Sequence, residues 1–188
     1  MNVNGSFSLL PNMITLARLL AVPVSVYLIL QNAYGSAFWV FVAAGVSDAL
    51  DGFLAKRLGA VSVIGAYLDP LADKALLVGV FIALGYEGQV AMWLVILIVF
   101  RDLLIIGGAI LFQTLTQSLE MSPLFISKIN TVAQLVLASV ILGELGLGRE
   151  LPFISEALVY IVALTTLLSG AAYILKWGRL AVLMERHR

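Results

Sequence analysis

Apolar residues run along this chain in six blocks of roughly twenty, parted by short polar breaks, and the pattern predicts six membrane-crossing helices. The blocks fall near residues 12–31, 36–58, 63–86, 90–113, 124–145 and 152–177. The breaks Gln31–Ser36, Leu58–Ser62, Gly85–Gln89, Gln113–Pro123 and Gly143–Pro152 carry the Gly, Pro, Asn and Ser residues of turns. Phe7–Leu10, just before Pro11, predicts a short amphipathic helix lying on the membrane surface. No long soluble insertion and no internal repeat interrupts the series. The expected architecture is an all-α integral membrane protein of six transmembrane helices, residues 1–188 forming a single domain.

Composition agrees with that solvent. Of the 188 residues, 62% are hydrophobic and 12% charged, about half the charged share of an ordinary soluble domain. Cysteine is absent, which excludes disulfides, thiolate nucleophiles and thiol metal sites. The single histidine, His187, sits in a charged tail and reads as solvated. A net charge of zero argues against a nucleic-acid partner. Residues 1–10 contain no Lys or Arg, so no cleaved signal sequence or transit peptide is expected. The first block is then a retained span, and the expected location is the cytoplasmic (inner) membrane of a bacterium.

Charge is segregated along the chain. With both termini inside, Lys56, Arg57, Lys128, Lys176, Arg179, Arg186 and Arg188 all fall on the cytoplasmic side, against Arg149 alone outside. Trp39 and Trp93 then lie near the outer interface and Trp177 near the inner one.

The acids divide by type. All six Glu lie in or near the breaks and span ends, while all five Asp (48, 51, 69, 73 and 102) lie inside predicted spans. A charge at bilayer depth costs several kcal/mol unless it is paired, metal-bound or facing a wet cavity, so these Asp mark function. Asp48 and Asp51 are spaced i, i+3 on the second helix, and Asp69 and Asp73 i, i+4 on the third, so each pair shares a face. The short break between these helices makes them antiparallel neighbours, and the four carboxylates converge in the inner half of the membrane. As structural groups each would need its own partner, and Lys74 alone cannot neutralise four. Two divalent cations can, and hard oxygen ligands select Mg²⁺, Mn²⁺ or Ca²⁺. Gly45, Ala49, Gly52, Ala55, Gly65 and Ala66 flank the acids, allowing close helix packing or leaving room for a flat group. Lys56 and Arg57 at the rim either hold a phosphate or anchor the helix by snorkelling.

The run from Asp48 to Asp73 resembles the signature of the CDP-alcohol phosphatidyltransferases, D-x2-D-G-x2-A-R-x8-G-x3-D-x3-D. Asp48, Asp51, Gly52, Ala55, Gly65, Asp69 and Asp73 all fall in register. The chain departs at one position, where Lys56 followed by Arg57 stands for the signature Arg. Pro11-Asn12-Met-Ile-Thr15-Leu-Ala-Arg18, Arg101-Asp102 and Ser127-Lys128-Ile-Asn130-Thr131-Val-Ala-Gln134 are similar to the phosphatidylglycerophosphate synthase and eukaryotic-type cardiolipin synthase branch.

The resemblance implies a six-helix homodimer with a cytoplasm-facing cavity and two bound divalent cations, Mg²⁺ or Mn²⁺. By it, Asp48, Asp51, Asp69 and Asp73 hold metal, and Asp73 also takes the proton of the acceptor hydroxyl. Gly52, Ala55, Lys56, Arg57, Gly65, Asn12 and Thr15 are implied for the CDP moiety of CDP-diacylglycerol. Arg18, Arg101, Lys128, Asn130 and Thr131 are candidates for the acceptor, a lipid or glycerol phosphate, with Arg101 equally open to a structural pairing with an Asp. Synthases that use glycerol 3-phosphate typically read K-x-K-T on the fifth helix. Here Lys128-Ile-Asn130-Thr131 replaces a charge by an amide, which favours phosphatidylglycerol as acceptor and cardiolipin as product. Phosphatidylglycerophosphate synthesis is the alternative. Intramembrane carboxylates also suit a divalent-cation transporter. Against it stand the confinement of the Asp cluster to one leaflet, its basic and small companions, and the absence of matching broken helices.

Overall fold

The computed structural model describes residues 9–58, 63–116, 124–149 and 151–186, with side chains for 16–47, 72–111, 114, 124–149 and 151–179. Among them are six helices and no strand: α1 (Leu9–Leu30), α2 (Tyr34–Leu58), α3 (Val63–Tyr86), α4 (Met92–Thr116), α5 (Phe125–Leu147) and α6 (Pro152–Arg186). Every apolar block of the sequence has become a helix, and all five Asp lie within helix bounds.

The ends follow from backbone chemistry. Asn32 adopts φ 56°, with Ala33 N–H donating to Leu28 O (2.9 Å) and Asn32 N–H to Ile29 O (2.9 Å). This paired closure satisfies the orphan carbonyls of α1. Gly88 (φ 73°) closes α3 in the same way, Gln89 N–H reaching Leu84 O at 2.9 Å. Gly148 (φ 65°) follows α5.

Two boundaries differ from expectation. Leu9 and Leu10 head α1 itself instead of ending a separate surface helix, while Phe7 lies outside the described residues. Pro11 does not break the helix there, because a first-turn N–H has no intrahelical acceptor to lose. Helix α6 has 35 residues and runs past the predicted end at 177 to Arg186. Hydropathy limits a span at the bilayer edge, but the backbone stays helical through Leu180-Ala-Val-Leu-Met-Glu-Arg186, a run of helix formers apart from Val182.

Met92–Leu111, Phe125–Leu147 and Pro152–Arg179 are long and apolar enough to cross a membrane. Among the residues with described side chains, Leu16–Leu30 of α1 and Tyr34–Ser47 of α2 are apolar as well. Large apolar side chains point outward along these helices, including Leu20, Trp39, Ile96, Phe100, Leu103 and Leu164, each more than half exposed. Such a surface has lipid, not water, as its natural solvent.

Contacts divide the chain into two compact units, Met1–Val90 with Ala138–Leu151, and Ala91–Leu137 with Pro152–Arg188. In the first, α1 packs on α2 and α3 around an apolar core that includes Ile29, Phe41, Leu76, Val80, Phe81 and Leu84. Gly79 lets α3 approach α1 closely, since a Cβ there would sit 3.2 Å from Val22 Cγ1 and 3.3 Å from Val26 Cγ2. The start of α2 meets the end of α5 backbone to backbone, where a Cβ on Gly146 would lie 2.5 Å from Gly35 Cα.

In the second unit α4 packs on α6. Its core joins Leu94, Ile98, Leu137 and Val162 to a set of buried polar side chains. Trp177 is half-buried, its indole lying where a Cβ on Gly108 would stand and its ring centroid 5.4 Å from that of Tyr173. Gly108→Ala therefore has to displace the indole. In a chain carrying Trp39→Phe and Trp93→Phe, we expect a shifted emission maximum and a stability loss of about 1–3 kcal/mol on unfolding. Unchanged emission and midpoint would show that the glycine is not needed for this contact.

Candidate functional site

Helix α2 carries Asp48 and Asp51 one turn apart, and α3 carries Asp69 and Asp73 one turn apart. Of these four, Asp73 has a described side chain. Those of Asp48, Asp51 and Asp69 lie outside the described residues, as do those of Asn12, Thr15, Ala55, Lys56 and Arg57; Gly52 and Gly65 lie on the same undescribed stretches. Among the described residues no group of three acids or imidazoles gathers around a metal position.

Asp73 does not stand alone in the helix seam. Arg18 Nη1 of α1 donates to its Oδ1 at 2.8 Å. The two side chains differ in access: that of Arg18 is 2% exposed and that of Asp73 36%. The guanidinium is thus part of the α1–α3 packing, while the carboxylate it holds is partly exposed. Such a pair survives at this depth because each charge offsets the other's desolvation, and the Arg orients the acid. The donor chemistry fits a hard divalent cation: Asp73 offers a fixed, partly exposed carboxylate, Asp69 precedes it by four residues on α3, and Asp48 and Asp51 lie three apart on α2.

A cavity of about 260 Å³ lies between α1 and α2, with Arg18 in its wall and Ala17, Ala21, Ala43 and Ala44 as its small-residue lining. It reaches Ser47, the residue before Asp48, whose hydroxyl donates to Ala43 O at 2.7 Å. The first unit therefore offers room beside the Arg18–Asp73 pair and at the approach to the first acidic position.

The remaining sequence candidates belong to the second unit. Arg101 is 2% exposed and all three of its guanidinium nitrogens are engaged. Nη1 donates to Asp102 Oδ1 (2.6 Å), Nη2 to Ser127 Oγ (2.6 Å) and Nε to Ser169 Oγ (3.2 Å). Of the two readings open from sequence, the structure displays the pairing with an Asp. Asn130 is fully enclosed, and its Oδ1 accepts from Thr165 Oγ1 (2.8 Å) and Thr166 Oγ1 (2.9 Å). One end of this amide meets two hydroxyls; the other, Nδ2, is buried without a partner among the described residues, as is Gln134 Nε2. Lys128 is exposed, and Thr131 turns its hydroxyl back to Ser127 O at 3.1 Å.

Ser127, Asn130 and Gln134 thus share the inward face of α5, whereas Lys128 does not. Arg101 and Asn130 enter one buried polar layer, and Arg18 belongs to the other unit. Sequence reasoning missed the α6 half of that layer: Thr165, Thr166, Ser169 and Tyr173. Their three- and four-residue spacing in an otherwise apolar span was the signal.

Comparison with known proteins bears on the chain as a whole. A family model described as CDP-alcohol phosphatidyltransferase matches residues 8–176. A chloroplastic CDP-diacylglycerol--glycerol-3-phosphate 3-phosphatidyltransferase of Oryza sativa is 37% identical over 91% of this chain and 57% of its own length. The cardiolipin synthase (CMP-forming) of Homo sapiens is 31% identical over 87% of this chain and 60% of its own. A CDP-diacylglycerol--glycerol-3-phosphate 3-phosphatidyltransferase of Rickettsia typhi is 32% identical over 87% of this chain and 94% of its own. The chain therefore spans little more than half of the first two relatives and nearly all of the third.

Proposed function

Because the chain belongs to the CDP-alcohol phosphatidyltransferase family, we propose that it transfers the phosphatidyl group of CDP-diacylglycerol to a hydroxyl of phosphatidylglycerol, giving cardiolipin and CMP. The observation that carries this reading is Asp73, fixed at Oδ1 by a buried Arg18 yet 36% exposed. A carboxylate so held can receive a proton from a hydroxyl brought against it. The freed oxygen forms a bond to the phosphorus bearing diacylglycerol, the bond from that phosphorus to the bridging oxygen breaks, and CMP leaves with the electron pair. Arg18 keeps the carboxylate in place throughout.

Members of this family use divalent metals. Asp48, Asp51, Asp69 and Asp73 are the residues that would hold two Mg²⁺ or Mn²⁺ ions here, which when bound offset the negative charge of the pyrophosphate. Gly52 and Ala55 would leave space for the cytidine, and Gly65, Lys56, Arg57, Asn12 and Thr15 would complete the CDP side. We take residues 1–188 as one domain of six spans with cytoplasmic termini, acting as a homodimer in a cytoplasmic membrane. The Lys and Arg asymmetry supports the orientation.

The acceptor assignment rests on the run Lys128-Ile-Asn130-Thr131, where a neutral amide stands in place of a second cation, suited to a phosphodiester or glycerol group. A second reading, glycerol 3-phosphate as acceptor, is favoured by the 37% identity to the rice relative bearing that name. Purified chain in nanodiscs, given CDP-diacylglycerol and Mg²⁺ or Mn²⁺, is expected to release CMP faster with phosphatidylglycerol than with glycerol 3-phosphate, and not at all with chelator. The reverse order of acceptors supports the second reading; no CMP with either sinks both. Asn130→Lys is expected to move the acceptor ratio toward glycerol 3-phosphate by about tenfold, the effect of one added charge contact. An unmoved ratio removes Asn130 from acceptor choice.

A further inference from the structure

Near the cytoplasmic end of α6, outside every residue assigned above, lies a cavity of about 380 Å³ lined by Leu124, Ala172, Leu175, Lys176 and Arg179. Its walls are apolar except for two cations at i, i+3 on one side of the helix. Among the described residues neither Lys176 nor Arg179 has an ion-pair partner. Lys176 is half-buried and Arg179 exposed, so one ammonium and one guanidinium stand at different heights beside the same groove. Lys176 and Arg179 are the first cations of α6, after the uncharged run Ala157–Leu175. Cations at the end of such a run suit the level of lipid phosphates, with their stems and Leu175, 64% exposed, continuing into the acyl region. The groove floor is set from inside: the Tyr173 phenol accepts from Leu124 N–H at 3.3 Å, tying the start of α5 to α6.

We propose that this groove binds an anionic phospholipid of the surrounding bilayer, its phosphodiester between Lys176 and Arg179 and an acyl chain along Leu124, Ala172 and Leu175. Charge selects the occupant. A zwitterionic lipid brings its own cation to the site, whereas a lipid of net negative charge leaves both side chains matched.

The test uses the full chain in detergent micelles doped with equal amounts of dioleoyl phosphatidylmethanol and dioleoyl phosphatidylcholine, with retained lipid counted by native mass spectrometry. Phosphatidylmethanol is an anionic phosphodiester without a free hydroxyl, so it cannot serve as a transfer acceptor. Wild type is expected to prefer it by about 30-fold, the effect of two surface cations, and Lys176→Gln alone to lose about fivefold of that. Lys176→Gln/Arg179→Gln brings the two lipids level, while Lys176→Arg keeps the preference and reports that the fold is intact. Equal retention by wild type, an undiminished preference in the Gln variants, or displacement by soluble glycerol 3-phosphate overturns the proposal. No step of the assay depends on CMP release, so its outcome and that of the transferase reading are scored separately.

Discussion

Asp73→Asn is expected to lower CMP release from CDP-diacylglycerol by about 10³-fold, within the range for loss of a positioned acid–base group. The substitution is close to isosteric. An amide oxygen at the Oδ1 position still accepts from Arg18 Nη1, so the α1–α3 seam keeps its hydrogen bond while the proton acceptor is gone. Loss should therefore appear in the rate at saturating CDP-diacylglycerol, beyond the stability lost by taking this counter-charge from the buried Arg18, which thermal unfolding reads separately. Arg18→Gln separates orientation from chemistry. It removes the group that fixes Asp73 but leaves a carboxylate, and should cost less rate and more stability than Asp73→Asn. Single-turnover CMP release with each variant measures both. If Asp73→Asn keeps more than about a tenth of the wild-type rate, Asp73 is not the base and the transfer must draw its proton acceptor from elsewhere.

The distribution of apolar blocks made the helices legible, because a helix that must face lipid needs about twenty apolar residues and a turn cannot be built from them. The Asp positions were legible for the complementary reason: an acid inside such a block is costly and therefore meaningful. Partner choice was less accessible. Arg18 and Asp73 are 55 residues apart, and nothing in the pattern near either one names the other. Their pairing depends on α1 lying against α3, which is a property of packing, helped by Gly79 opposite Val22 and Val26. Arg101 shows the same limit at short range. Its neighbour Asp102 was visible, but the two serines completing its shell come from α5 and α6, 26 and 68 residues away. The length of α6 was hidden differently, since hydropathy reports the bilayer edge and is silent on where hydrogen bonding along the backbone stops.

Arg101→Ala is expected to destabilise the chain by about 3–5 kcal/mol, the range for stripping one partner from a buried ion pair. Asp102 is 5% exposed, so its carboxylate would remain in the interior without the guanidinium 2.6 Å away, and Ser127 and Ser169 would lose a shared donor. Replacing both members, as Arg101→Leu/Asp102→Leu, removes the buried carboxylate as well and should recover more than half of the loss. Unfolding midpoints of the purified variants decide this, measured by helical circular dichroism in one detergent at one protein concentration. The same variants also discriminate the two roles open to Arg101. A phosphate contact predicts that Arg101→Ala weakens acceptor binding while the fold stays near wild-type stability. With Nε, Nη1 and Nη2 all given to side chains of α4, α5 and α6, the structural role predicts the opposite order, in which stability falls first and the double variant regains fold together with turnover. A double variant that folds like wild type but releases no CMP would return Arg101 or Asp102 to the catalytic machinery.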